Sequence, residues 1–246
     1  MSVYLDHFYI RPTKKSYDSL KDTFEKLIGA ELFQYGEFES EGNKYAGFYV
    51  HFENGSFLEV LDPEISTASQ AVGLCMTCEK EYRGHFLEQI KSVLTGSGKE
   101  VEFKKFPEED PTLTICRPTA KNYISAWGVE YSDQWMKDWG SQVSKLGLLS
   151  PFESFFSASF TYPKIALAEL QDNLSWIDDR MIGGPAISLP LKDGNATNVS
   201  FNEGDSAQCK MSFIVGVDCD PVDISGEDFS FTIDKGMATL ETSLHL

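Results

Sequence analysis

With 246 residues, 41% of them hydrophobic, the chain is long enough for one large or two modest domains with real cores. A formal net charge of −17 would repel a phosphate backbone and an anionic membrane surface alike, which removes nucleic acid and membrane from the expected partners. Five scattered cysteines without framework spacing fit reduced thiols, and there is neither a basic-then-apolar leader nor an apolar run of about 18 residues, so a cytoplasmic location is expected.

The opening segment, Tyr4-Leu5-Asp6-His7-Phe8-Tyr9-Ile10, has strand character and sets ionisable side chains among apolar ones. Residues 16–28 follow with apolar side chains at Tyr17, Leu20, Phe24, Leu27 and Ile28, a helical stripe with Ser16 as its N-cap and Gly29 just past its end. Strands are predicted over 30–38, 45–52 and 57–61, the last two joined through Asn54-Gly55, a strong hairpin signal. The same βαβββ order then recurs. A strand over 73–78 precedes a helix over 85–94, which presents Phe86, Ile90, Val93 and Leu94 on one face and stops at Gly96. Strands over 101–106, 113–117 and 123–131 complete the second unit. Gly29 to Gly96 and Glu59 to Glu130 span nearly the same distance, which argues for an internal duplication.

Beyond Tyr131 the pattern predicts a helix through Trp135, Trp139, Val143 and Leu146, a strand over 152–161, and a second helix from Pro163 through Leu167, Leu170, Leu174 and Ile177. Gly183-Gly184-Pro185 breaks it, and strands over 186–191, 197–201, 210–217, 229–233 and 237–244 follow. No low-complexity linker intervenes. Residues 134–246 are therefore expected to pack on the first two units as an α+β region, a third, diverged βαβββ unit being one form it could take.

Ionisable groups on a packed strand face are costly unless a partner or a metal compensates, which singles out His7 and Glu59. Simple alternation puts His7 with Leu5 and Tyr9 and turns Asp6 away. A two-residue turn at Asn54-Gly55 would set Val50 opposite Glu59, with Phe48, Phe52, Phe57 and Leu61 on the same face and with Tyr49 and His51 pointing away. Cys75-Met76-Thr77-Cys78 has CxxC spacing, but on a strand the two thiols face opposite sides. Gly96-Ser97-Gly98-Lys99 lacks the spacing of a phosphate loop, and the acidic runs at 108–110 and 218–223 lack calcium-loop spacing and read as solvated loops.

The strand Leu5-Asp6-His7-Phe8-Tyr9, the helix and hairpin after it, and Phe57-Leu58-Glu59-Val60 resemble the vicinal oxygen chelate superfamily of glyoxalases, bleomycin-resistance proteins and extradiol dioxygenases. Within it, Lys44-Tyr45-Ala46-Gly47-Phe48-Tyr49 with Glu53-Asn54 and Glu59 looks like a group of uncharacterised bacterial glyoxalase-like proteins. The resemblance covers roughly residues 1–133. It implies an α+β fold in which paired βαβββ units form a cupped mixed sheet over 1–133, with 134–246 as an extension. It implies metal ligands on the first and fourth strands of each unit: His7 and Glu59 from the first, and from the second a position at or beside Cys75 and one at or beside Glu130. Glu130, or another carboxylate, would also shuttle a proton. A thiol where histidine or glutamate is usual leaves the set incomplete for a divalent metal such as zinc, nickel, manganese or iron, and argues against oxygen-activating iron. The implied function is binding of a small organic molecule in the cup by a divalent-metal-dependent lyase or isomerase. The alternative is a non-catalytic protein that sequesters a small ligand after losing the full metal site, and a homodimer stays open.

Overall fold

The computed structural model describes residues 3–28, 38–40, 43–67, 70–107, 109, 111–119, 124–138, 141, 150–162, 176–177, 186–216 and 219–245. The fold is α+β. The first unit comprises β1 (Val3–Ile10), α1 (Lys14–Ile28), a short ladder of β2 (Phe38–Ser40) with β3 (Asn43–Tyr45), then β4 (Gly47–His51) and β5 (Phe57–Leu61). The second comprises β6 (Val72–Cys78), α2 (Phe86–Gly96), β7 (Val101–Phe106), β8 (Leu113–Pro118) and β9 (Ile124–Tyr131). Apart from β2 and β3, which pair only with each other, their strands form one seven-stranded sheet in the order β4-β5-β1-β6-β9-β8-β7, and the strand predicted over 30–38 lies almost wholly outside the described residues. In each unit the helix carries the chain back across the sheet, so β1 runs parallel to β5 and β6 parallel to β9. The two units meet through the antiparallel pair β1–β6. This is the paired βαβββ cup.

Helix α1 begins earlier than its stripe suggests. Thr13 is the N-cap: its Oγ1 accepts from the Ser16 backbone N–H at 3.4 Å, while Ser16 lies fully buried inside the first turn. Helix α2 runs through Gly96, and the left-handed residue after it is Gly98, at φ 75°.

The remaining strands build a second seven-stranded sheet from β10 (Phe152–Tyr162), β11 (Ala186–Pro190), β12 (Ala196–Glu203), β13 (Gln208–Val215), β14 (Val222–Ser225), β15 (Phe229–Asp234) and β16 (Met237–Ser243). Its order, β11-β12-β10-β13-β16-β15-β14, matches the first sheet position for position. Part of the acidic run at 218–223 is thus strand β14 and not loop. The predicted helix through Trp135 is helical over 133–138, and the helix predicted from Pro163 lies almost wholly outside the described residues. One pairing departs from the first sheet: β13 meets β16 antiparallel where β6 meets β9 parallel. Only six residues, 216–221, separate β13 from β14, too few for a helix like α2 to return the chain, so the strand direction is inverted.

Aromatic side chains join the two sheets. Phe8 of β1 lies 5.1 Å from Phe155, Phe52 lies 4.4 Å from Phe155 and 5.3 Å from Phe213, and Phe24 of α1 lies 5.3 Å from Phe231, all between ring centroids. These rings are fully buried, and one face of the first sheet is spent on them. Backbone bonds fasten the edges, from Glu53 N–H to the Phe152 carbonyl at 3.0 Å and from His245 N–H to the Arg11 carbonyl at 2.9 Å. The opposite face of the first sheet is left to carry the polar side chains.

Candidate functional site

Two local irregularities decide which side chains reach that face. The first is a β-bulge in β1: Leu5 pairs with Met76 and His7 with Cys75, so Asp6 is the extra residue between them. The bulge resets the alternation. Leu5, Phe8 and Ile10 turn into the core, whereas Asp6, His7 and Tyr9 face the other way, which corrects the expectation that His7 sits with Leu5 and that Asp6 points elsewhere.

The second is the β4–β5 hairpin. Its loop holds three residues, Glu53, Asn54 and Gly55, with Phe52 N–H bonded to the Ser56 carbonyl at 3.0 Å and Gly55 in the left-handed region at φ 86°. The pairing is therefore Tyr49 with Glu59 and His51 with Phe57, one step from the register of a two-residue turn. Phe48, Val50, Leu58 and Val60 go to the core, and Tyr49, His51, Phe57 and Glu59 share the site face.

His7 stands at the centre. Its Nδ1 is 2.7 Å from Asp6 Oδ2, and its Nε2 is 3.9 Å from Glu59 Oε2. Its ring stacks on Phe57 at 4.3 Å and 17°, and the edge of Trp127 meets it at 5.4 Å. Tyr131, at the end of β9, donates its hydroxyl to Asp6 Oδ2 at 2.8 Å, and Tyr49 hydrogen-bonds Glu59. Both carboxylates are thus braced by tyrosines from strands on either side. Burial, with Asp6 beside Tyr131 and Glu59 beside Tyr49, pushes both phenols well above their usual value, so each keeps its proton. Cys75 is fully buried opposite His7, and its Sγ, an Asp6 carboxylate oxygen and a His7 ring nitrogen all lie within 4.8 Å of one another. Burial pushes the Cys75 thiol up, as do Asp6 and Glu59.

The donors suit a divalent cation. An imidazole whose second nitrogen is tied to a carboxylate is the usual form of a metal-binding histidine, because the outer bond fixes tautomer and ring orientation. The 3.9 Å from Nε2 to Glu59 exceeds a hydrogen bond. It is about half an ångström beyond the roughly 3.4 Å between two ligand atoms of one tetrahedral zinc. Glu130 is not part of this group. Its neighbour Gly128 faces α2, where an added Cβ would meet Ile90 and Leu87, and the Glu130 carboxylate accepts from the Gly84 and Leu87 backbone N–H groups at 2.8 and 3.3 Å. It serves the start of α2, on the opposite face from Asp6 and His7, so neither a ligand nor a proton-shuttle role fits its position.

Sequence reasoning missed Asp6, Tyr49, Trp127 and Tyr131. A bulge leaves no composition signal, but the hairpin register was recoverable: the three-residue loop puts Phe48, Val50, Phe52, Leu58 and Val60 on one face and Tyr49, His51 and Glu59 with Phe57 on the other.

No family model and no curated protein matches this chain. Among solved structures, homoprotocatechuate 2,3-dioxygenase from Arthrobacter globiformis aligns with 83% of this chain and 61% of its own at 9% identity and TM-score 0.42. The Brevibacterium fuscum enzyme, in complex with 3,4-dihydroxyphenylacetate, aligns over the same shares at 8% identity and TM-score 0.37. The chain thus spans about three fifths of the length of these structures.

Proposed function

We propose that this face of the first sheet binds a divalent cation between His7 Nε2 and Glu59, and with it a small oxygen-bearing organic molecule, as a lyase or isomerase of glyoxalase type. The observation that carries the reading is the Asp6–His7 hydrogen bond at 2.7 Å, which aims Nε2 toward Glu59. The cation would supply Lewis-acid polarisation of substrate oxygens. Asp6 holds the imidazole in one tautomer and Tyr131 holds Asp6. Tyr49 restrains Glu59, which as a carboxylate can ligate or take a proton. Phe57 and Trp127 wall the site with aromatic surface and limit the access of water.

A second reading, a non-catalytic protein that sequesters a small ligand, is favoured by one observation. The second unit offers a buried thiol at Cys75, while its carboxylate, Glu130, is turned to the helix.

Calorimetric titration of zinc, manganese, nickel and iron(II) into wild type, His7→Ala, Glu59→Gln and Asp6→Asn tests the cation site. Wild type is expected to bind at one site, His7→Ala and Glu59→Gln to lose that binding, and Asp6→Asn to weaken it about 10- to 100-fold. Equal affinities in all four proteins would remove the metal reading and leave the sequestering protein.

A further inference from the structure

The face that carries His7 does not end at Trp127. Across the sheet, His51 pairs with Phe57, Phe57 with His7, His7 with Cys75, and Cys75 with Trp127. On β8, Cys116 pairs with Gly128, so the next residue, Arg117, comes beside Trp127, and Arg117 in turn pairs with Glu102 on β7. Cys116 turns toward α2, where it feels Glu88 and Lys91, which leaves Arg117 on the site face.

Between the two ends lies an aromatic pair whose rings are tilted by 36° to one another. The rings of Tyr9 and Trp127 are 5.6 Å apart over Gly73, where an added Cβ would fall 2.0 Å from Tyr9 and 2.6 Å from Trp127. Burial, Glu59 and Tyr45 raise the Tyr9 phenol above its usual value, and Arg117 and Arg11 act against them. The guanidinium of Arg117 uses Nε for Glu102, and its two terminal nitrogens make no hydrogen bond among the described residues. Lys104 Nζ meets the same carboxylate at 2.5 Å, so Glu102 is shared between two cations. In a chain of net charge −17 the general field repels anions, and a cationic end on this face is a local exception.

We infer that the ligand of this face is a small planar organic acid, its ring on the Tyr9–Trp127 pair and its anionic group against the terminal nitrogens of Arg117. The inference rests on the reading of this face as a ligand site and names the class of molecule it takes. Arginine suits the role because its fork presents two parallel donors to a carboxylate.

The test uses 4-hydroxyphenylacetate and its neutral amide, matched in shape and different in charge, titrated into chelator-treated full-length protein so that the cation plays no part. Wild type is expected to prefer the acid by about tenfold, the size of one charge-assisted hydrogen bond. Arg117→Gln should bind acid and amide alike, Arg117→Lys should keep part of the preference, and Glu102→Gln, which removes the competing carboxylate, should raise it. Glu102→Gln also keeps the test open should Arg117→Gln fail to fold. Equal binding of the two probes by wild type, binding of neither, or a preference that survives Arg117→Gln would overturn the inference. Zinc titration of the same variants separates the two readings: affinity unchanged from wild type while the probe preference is lost leaves the cation site standing.

Discussion

The two sheets share one strand order and one bulge. In β1 the register shifts between Leu5 and His7, and in β10 it shifts between Phe155 and Ser157, with a further shift between Phe152 and Ser154 that β1 lacks. Leu5 and Phe155 are both buried, so the extra residue is Asp6 in one sheet and Phe156 in the other. The correspondence then continues pair by pair. His7 opposite Cys75 answers to Ser157 opposite Ser212, Glu59 beside Tyr9 to Ser200 beside Ser159, and Arg117 opposite Glu102 to Thr232 opposite Asp223. The second sheet shows serine or threonine where the first shows His7, Cys75, Glu59 and Arg117, and phenylalanine where it shows Asp6, while Glu102 is answered by another carboxylate, Asp223. The same strand order thus carries a face of ionisable side chains in one sheet and a largely hydroxyl face in the other, and the difference lies in a handful of side chains at fixed register positions.

The comparison supposes that the sheets share one core, and the largest effect should come from breaking it. Phe155 is 1% exposed, and its ring lies against Phe8, Phe52 and Phe213. Phe155→Ala is expected to cost about 3–5 kcal/mol, the range for deleting a buried aromatic ring. Denaturant melts followed by tryptophan fluorescence and by circular dichroism should still coincide in one transition. Two separated transitions would mean that each sheet is stable alone.

A second difference is titratable. His51, on the site face, is buried against Phe57 and Tyr49, and burial holds its imidazole down at about 4. An unfolded chain protonates the same ring at about 6.5. Above that pH the ring is neutral in both states. As the pH falls from 6.5 toward 4 the unfolded state takes up the proton first, so stability falls over that window, by up to about 3 kcal/mol. Urea midpoints of wild type and His51→Gln across that range should converge at the acid end, and parallel curves would show that His51 does not carry the loss.

Much of this was legible in the sequence. The amphipathic stripe of 16–28, the Asn54-Gly55 turn and the repeated βαβββ order located nearly every element of the first sheet, because burial on one face imposes a period that composition records. His7 and Glu59 were singled out by the cost of ionisable groups in apolar strands, and the structure puts them 3.9 Å apart. What stayed hidden depends on single-residue offsets. The extra residue at Asp6 and the third loop residue at Glu53 each reverse a face, and with it the neighbours of every side chain beyond. Glu130 and Tyr131 are adjacent in sequence and face opposite layers, so one step of register separated a helix-capping carboxylate from a residue of the site.

The smallest expected change in stability belongs to the sharpest test of the correspondence. Phe156 is 49% exposed, and Ser157 and Ser200 are partly exposed, so Phe156→Asp, Ser157→His and Ser200→Glu together should alter stability by less than about 1 kcal/mol. If bulge and register are what assemble the site, the triple variant should bind a second equivalent of zinc, more weakly than the first. The weaker binding has a physical reason. In the first sheet Phe57 and Trp127 flank the imidazole, and Tyr131 and Tyr49 brace the two carboxylates, whereas the positions that answer to Phe57, Trp127 and Tyr49 are Asn198, Thr239 and Ala186. Calorimetry would read the stoichiometry directly. A stoichiometry that stays at one would locate the decisive difference in the tyrosines and aromatic walls, with the placement of ligands by the bulge necessary but insufficient.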